Sequence, residues 1–485
     1  MEQHQFDMVI RNANIATATD IFQADIGIRC GKIVALAQSL LAGAQEIDAA
    51  GRWVLPGGVD AHCHLAQPTS DGSVMADDFF TGTRSAACGG TTTVIPFALQ
   101  QKGSTLEQAV RDYHVASDGR ACVDYAFHII VADATVHTVE TELPDLIERG
   151  YTSFKLYMTY EDLKLNDRQI LDILSITRRE GAMSMIHAEN TDCIAWLTER
   201  LLAKGLTTPI YHSLSRPSVV EREATHRAIS LAEFLDTPVL IVHVSGREAT
   251  EQIRQAQSRG LRIYAETCPQ YLFLTADDLG SDGFEGAKCI CSPPPRDEGS
   301  QQAIWDGLDN GTFQVFSSDH APFRYEGAEG KKVAGEDGDF TRVPNGIPGL
   351  ETRLPLLFSE GVLAGRIDIN KFVAVTATEP AKIYGLYPRK GTISIGADAD
   401  IVIWDTTQKR TIRNEDLHHH VDYTPYEGRE VGAWPAVTLC RGEVVYRDGE
   451  FTGRAGHGAF VRCERPKPAR PKSRLGRTLA WLDVL

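Results

Sequence analysis

The sequence predicts an α/β fold: a (β/α)8 TIM-like barrel joined to a small β-sandwich domain formed by both chain ends. Three observations predict it. Between residues 59 and 383, short apolar runs alternate with longer stretches of helical periodicity, the pattern of parallel strands linked by helices. About eight such units fit this span, and none carries the Gly-rich turn of an open dinucleotide-binding sheet, so a closed barrel is preferred. Outside the span, FDMVIRNANIATATDIFQADIGIRCGKIVALA, GTISIGADADIVIWD and AVTLCRGEVVYRDGE share β-branched runs broken by Asn, Asp and Gly, the texture of small strands and turns.

In chain order, residues 1–58 supply the first part of the β-sandwich. The barrel strands are then expected in TTTVIPFA, VDYAFHIIVA, YTSFKLYM, MSMIHAE, PVLIVHVS, LRIYAET and FQVFSSDH, after an extended run, RWVLPGGVDA, that leads into the barrel. Helices fit between them. In DRQILDILSITRREG and EATHRAISLAEFLD the apolar residues recur at intervals of three and four. Residues 384–460 complete the sandwich. Residues 461–485, with ERPKPARPKSRLGRTLAWLDVL, are Pro-rich and basic before a short apolar end and read as an exposed arm, one able to clasp another subunit.

Composition narrows the function. A net charge of -16 over 485 residues repels a phosphate backbone, which argues against nucleic acid as a partner. Hydrophobic residues make up 42% and charged residues 24%, and no apolar run approaches a membrane span, so no membrane partner is expected. The ten cysteines lack framework spacing and read as free thiols; Cys289-x-Cys291 has neither the usual zinc spacing nor a second pair. The opening MEQHQFDMVIRNANI has no basic region leading into an apolar stretch, and a cytoplasmic location is expected.

The chemistry-bearing residues fall at the ends of the expected strands. His62 and His64 lie two apart after RWVLPGGVDA, a spacing that puts both imidazoles on one face of an extended chain. Alone, the pair is weak evidence for a metal and reads as two surface histidines in a loop. His187 in MIHAEN, His243 in IVHVSG and Asp319 in SSDHAPF occupy other strand ends, and in a parallel barrel those ends converge on one mouth. Four imidazoles and a carboxylate suit zinc, manganese or cobalt.

Lys155 in TSFKLYMTY sits within an apolar strand, where burial favours the neutral amine. An ammonium has donors only and cannot bind a metal, whereas a neutral amine can take up carbon dioxide as a carbamate. A lysine that reaches solvent at the strand end fits the sequence equally well.

GGVDAHCHL, DDF, GGTTTVIPF, SFKLYMTY, HAEN, HVSG, AETCPQYL, SPPPR, SSDHAPF and PNGIPGLETR occur here in order. On these motifs the chain resembles the dihydropyrimidinase and hydantoinase branch of the amidohydrolase superfamily over nearly its whole length. The resemblance implies two divalent ions per subunit, zinc foremost with manganese or cobalt as alternatives, bridged by a carbamylated Lys155 (N6-carboxylysine). His62, His64 and Asp319 would complete one ion's site, and His187 and His243 the other's. It implies a cyclic amidohydrolase that opens a 5,6-dihydropyrimidine or 5-substituted hydantoin to the N-carbamoyl amino acid, using a hydroxide shared by the two ions. Asp319 would carry the proton, Tyr160 would hydrogen-bond the oxyanion, and Ser292 and Asn345 would grip the ring's amide edge. It also implies a homo-oligomer, with a tetramer favoured.

Leu65-Ala66-Gln67-Pro68 departs from the dihydroorotase relatives, which place Arg two residues after the second histidine to hold the substrate carboxylate. Ala66 cannot do that, which points to a small neutral cyclic ureide. Pro295 stands where a leucine is expected, leaving selectivity at that loop open. Allantoinase and cyclic imidase are the alternatives on the same scaffold. A non-catalytic, dihydropyrimidinase-like assembly protein is the alternative of another class, and such relatives have lost ligands that this chain retains.

Overall fold

The computed structural model describes residues 4–335 and 338–471. A seven-stranded parallel sheet runs in the spatial order Val315–Phe316, Ile263–Thr267, Val239–Ile241, Met183–His187, Ser153–Tyr157, His128–Ile130, Phe97–Leu99. A second parallel sheet joins Gly58–Asp60, Thr91–Val94 and Asp124–Tyr125. TTTVIPFA and VDYAFHIIVA are each interrupted, so each gives one short strand to either sheet. Neighbouring strands therefore follow chain order, as right-handed strand–helix–strand units require.

Burial explains why these strands lack polar alternation. All five residues of Ser153–Tyr157 and of Met183–His187 are buried, because helices cover the outer face and side chains fill the inner one. Inside pack Val59, Phe97, Ile130, Met183, Met185, Leu240 and Val315. Outside, Asp167–Glu180 turns Ile170, Ile173 and Leu174 inward, and Asn166 with Gln169 forms a capping box at its start. Ser218–Leu235 starts five residues before the stretch chosen from sequence, just after Pro217.

A nine-stranded sheet draws on both chain ends. Ile401–Asp405 lies antiparallel to Trp53–Pro56 on one side and to Trp434–Cys440 on the other, and Met8–Ala16 pairs with Ile21–Arg29 and Gln45–Asp48. Its core holds Ile10, Ile15, Ile26, Ile28, Val54, Ile401, Ile403 and Leu439. Lys390 ties this sheet to the parallel one: its Nζ lies 2.6 Å from Asp124, 3.0 Å from Asp398 and 2.7 Å from Asp400, all buried.

The exposed arm expected from residue 461 onward differs over its described part. Val461, Cys463 and Ala469 are buried on the chain's own body. The Val461 and Cys463 amides donate to the Tyr125 and Gly150 carbonyls, and Phe460 packs among Tyr125, Phe127 and Tyr151. Backbone pairing and that aromatic cluster outweigh the polar composition. Residues 472–485 lie outside the described residues.

Candidate metal centre

His187 is the last residue of Met183–His187, and Lys155 is central in Ser153–Tyr157, in register with Met185 while Tyr157 pairs with His187. The other ligand candidates lie just past their strands. The ladders stop at Asp60, Ile241 and Phe316, sooner than the apolar runs suggest. His243 and Asp319 have φ of 37° and 49°, a left-handed conformation that cannot continue a strand and that turns each side chain into the mouth. Tyr160 shares it, with φ of 65°. Backbone strain of this kind, about 1–3 kcal/mol per residue, concentrates at functional sites.

The structure brings the six ligand candidates together. His62 Nε2 and His64 Nε2 lie 3.2 and 3.5 Å from Asp319 Oδ1, and one donor atom from each of these three residues falls within 4.8 Å of the others. Lys155 Nζ is 3.4 Å from His62 Nε2, and His243 Nε2 is 2.9 Å from His187 Nδ1. The His62 and His243 ring centres, 5.4 Å apart, join the two groups.

The electrostatics favour uncharged nitrogen donors. Burial, reinforced by the neighbouring cations, lowers the pKa of His62, His187 and His243, so these imidazoles are neutral at physiological pH. Burial pushes Lys155 down to about 8 against the pull of Glu266 and Asp319, giving a substantial neutral amine fraction. Asp319, which burial alone would raise, is lowered by His62, His64 and Lys155 and stays a carboxylate. His243 Nδ1 is buried without a hydrogen-bond partner. A buried cluster of neutral imidazoles, one carboxylate and one depressed lysine fits divalent cations better than it fits a packed core, where such groups would be a cost.

Outer groups orient the ligands, and the sequence reading missed them. Glu266 Oε1 lies 2.6 Å from His62 Nδ1 and accepts from the His243 amide at 3.1 Å, while its Oε2 accepts from Ser317 Oγ. Gln67 Oε1 meets His64 Nδ1 at 2.7 Å. Glu189 Oε2 meets His187 Nε2 at 2.8 Å and Arg216 Nη1 at 2.8 Å. Partners of this kind fix a metal-binding imidazole's tautomer and ring plane. Glu189 and Glu266 stood in view in HAEN and AETCPQYL, two residues from His187 and on an inward strand position respectively.

The three residues expected to hold substrate sit at the same mouth. The Tyr160 and His187 ring centres are 5.5 Å apart, and Asn345 Nδ2 donates to the Tyr160 hydroxyl at 3.4 Å. Burial raises the Tyr160 pKa, keeping the phenol a hydrogen-bond donor at neutral pH. Ser292 Oγ lies 3.3 Å from His212 Nε2, and that nitrogen also lies 2.9 Å from the Cys291 carbonyl oxygen.

Residues 53–445 match the model of the amidohydrolase family. The chain is 46% identical over 457 residues to the D-hydantoinase of Geobacillus stearothermophilus, covering 94% of this chain and 96% of that one. The crystal structure of dihydropyrimidinase from Brevibacillus agri NCHU1002 superposes with a TM-score of 0.92 at 44% identity, covering 95% of this chain and 99% of that chain. The L-hydantoinase (dihydropyrimidinase) from Arthrobacter aurescens follows at 0.85 and 30%, with 94% and 100% covered. With a family match across most of the sequence and full-length relatives of one kind, the chain belongs to the amidohydrolase family, in its dihydropyrimidinase and hydantoinase branch.

Proposed function

We propose that this protein hydrolyses a neutral cyclic ureide, a 5,6-dihydropyrimidine or a 5-substituted hydantoin, opening the ring to the N-carbamoyl amino acid. The observation that carries this reading is the meeting of His62, His64, His187, His243 and Asp319 around the buried Lys155 at the mouth of a parallel sheet. His62, His64 and Asp319 would hold one divalent cation and His187 and His243 a second, with Lys155 carbamylated between them; zinc, manganese and cobalt all suit this donor set. Cations bound there supply Lewis acidity and an activated water at neutral pH.

The remaining roles belong to the chain. Asp319, ionised and held by Gln270 Nε2 at 3.4 Å, accepts the proton of the attacking water and returns it to the departing ring nitrogen. The new C–O bond replaces the ring C–N bond, and the freed nitrogen stays on the product as the terminal NH2 of its N-carbamoyl group. Tyr160 donates to the oxyanion that forms on the attacked carbonyl. Ser292 and Asn345 present the amide-binding edge. Arg216 is a buried cation at the mouth, but its charge is matched by Glu189, and Ala66 supplies none, which favours an uncharged ring over a carboxylate-bearing one.

For the architecture, we read the eight parallel strand positions as a closed barrel over residues 59–383. The His64 amide donates to the His320 carbonyl at 2.7 Å and Ser318 N donates to Asp60 Oδ1 at 3.2 Å, which supports contact between the first and last strands. Residues 1–58 and 384–460 then form the sandwich domain, with 461–485 as the terminal segment. A cytoplasmic homotetramer is the proposed state. Exposed Trp196, Leu214 and Val219 on consecutive helices offer apolar surface for subunit contact. No helix among the described residues is long and apolar enough to cross a membrane.

The test is a substrate panel with zinc-loaded protein: dihydrouracil, both enantiomers of 5-phenylhydantoin, allantoin, succinimide and dihydroorotate, followed by ring opening. Fastest turnover is expected on dihydrouracil or a 5-phenylhydantoin. No ring opening on any of them would leave a non-catalytic assembly role.

A further inference from the structure

Lys331 is 1% exposed and, among the described residues, its Nζ is paired with carbonyls and with no carboxylate. Its Nζ donates to the carbonyls of Ile290 at 2.9 Å, Pro344 at 2.6 Å and Gly346 at 2.6 Å. An ammonium has three donors, and all three are used. Burial pushes the group down to about 7. Burying a lysine against carbonyl dipoles alone is costly, so its persistence calls for a reason.

The acceptors supply one. Ile290 lies two residues before Ser292, and Pro344 and Gly346 flank Asn345. The Gly346 amide also donates to the Ile290 carbonyl at 3.0 Å, so the two loops are joined directly and through the same ammonium. Lys331 is held by a closed loop: its amide donates to the Arg324 carbonyl at 2.8 Å, and a Cβ on Gly330 would lie 2.0 Å from that oxygen. His212, bonded to the Cys291 carbonyl, braces the first loop from the other side.

We infer that Lys331 is a positioning residue for substrate binding, a buried hydrogen-bonding staple that holds the Ser292 and Asn345 loops in one fixed relation before the ring arrives. The inference rests on the proposed ring-binding role of those two loops. A loop set in advance lowers the ordering cost of binding, and such an effect enters ground and transition states alike. Its loss therefore appears in KM.

Lys331→Met keeps the aliphatic stem and removes every donor. With dihydrouracil and 5-phenylhydantoin as probes, KM is expected to rise at least about fivefold while kcat stays within about threefold of wild type, the pattern of lost uniform binding. Metal content stays unchanged, and hydrogen exchange quickens in residues 289–293 and 343–347. A smaller rise in KM overturns the inference. So does a variant that fails to fold, or one that loses kcat and metal together, because Lys331 is then a requirement of the whole fold. Wild type run beside it separates the two claims: no turnover by wild type removes the substrate reading and this inference with it, whereas wild-type turnover with an unchanged variant removes only the staple.

Discussion

The Arg216 guanidinium lies 5.6 Å from the centre of the Tyr160 ring while its Nη1 donates to Glu189 Oε2 at 2.8 Å. One buried cation thus serves a carboxylate that orients His187 and the aromatic face of the proposed oxyanion donor.

Arg216→Met is expected to leave Glu189 buried beside His187 without its counter-charge. Removing one partner of a buried pair costs about 3–5 kcal/mol. The measurement is the urea midpoint, which falls, alongside turnover, which drops about 10–100-fold as the outer support of His187 is lost.

Tyr160→Phe removes one hydroxyl whose contact with Asn345 is long, at 3.4 Å, so the fold is expected to stay intact. Steady-state kinetics should show kcat lower by about 10²–10³ with a small change in KM, the cost of one oxyanion donor. An unchanged kcat would remove Tyr160 from the chemistry.

Lys155→Ala tests the bridging carbamate. Metal analysis of the purified variant is expected to show at least one ion lost per chain, with ring opening abolished. Full metal loading with normal turnover would show that His62, His64, His187, His243 and Asp319 suffice.

How much of this was legible in the sequence depends on what each group contacts. His62, His64, His187, His243 and Asp319 sit at strand ends, and apolar runs announce strands, so their convergence could be reasoned from topology. The exact strand limits could not, because left-handed residues such as His243 and Asp319 end a ladder inside an apolar run. Glu266 was within reach: it is a charged residue inside a buried strand, which is the argument that singled out Lys155. Lys331 was out of reach. Its segment has no periodicity, and its partners are main-chain carbonyls, which every residue carries and no sequence marks.

A pH prediction follows from the junction of the two sheets. Burial would push Asp398 up, but Lys390, with Lys32 and Arg389, draws it down to about 2 from its ordinary 3.8. A folded pKa below the unfolded one stabilises above the unfolded value, and that contribution fades as pH falls from about 4 through about 2. Its partners Lys32 and Arg389 are about half exposed, and solvent screening of their charges reduces it to about 1–2 kcal/mol. Asp398→Asn is expected to lower the unfolding free energy at pH 7 by that amount and to converge on wild type below about pH 2.

Trp53–Pro56 pairs with Met8–Ala16 on one side and takes its other neighbour from Ile401–Asp405, and that second pairing orders events during synthesis. At about 5–20 residues per second, the ribosome needs roughly 20–70 s to make the intervening chain. Met8–Ala16 and Ile21–Arg29 can form their hairpin at once. Trp53–Pro56 instead waits with an open edge while the parallel strands emerge, an interval in which a neighbouring nascent chain of the same sequence is the competing partner.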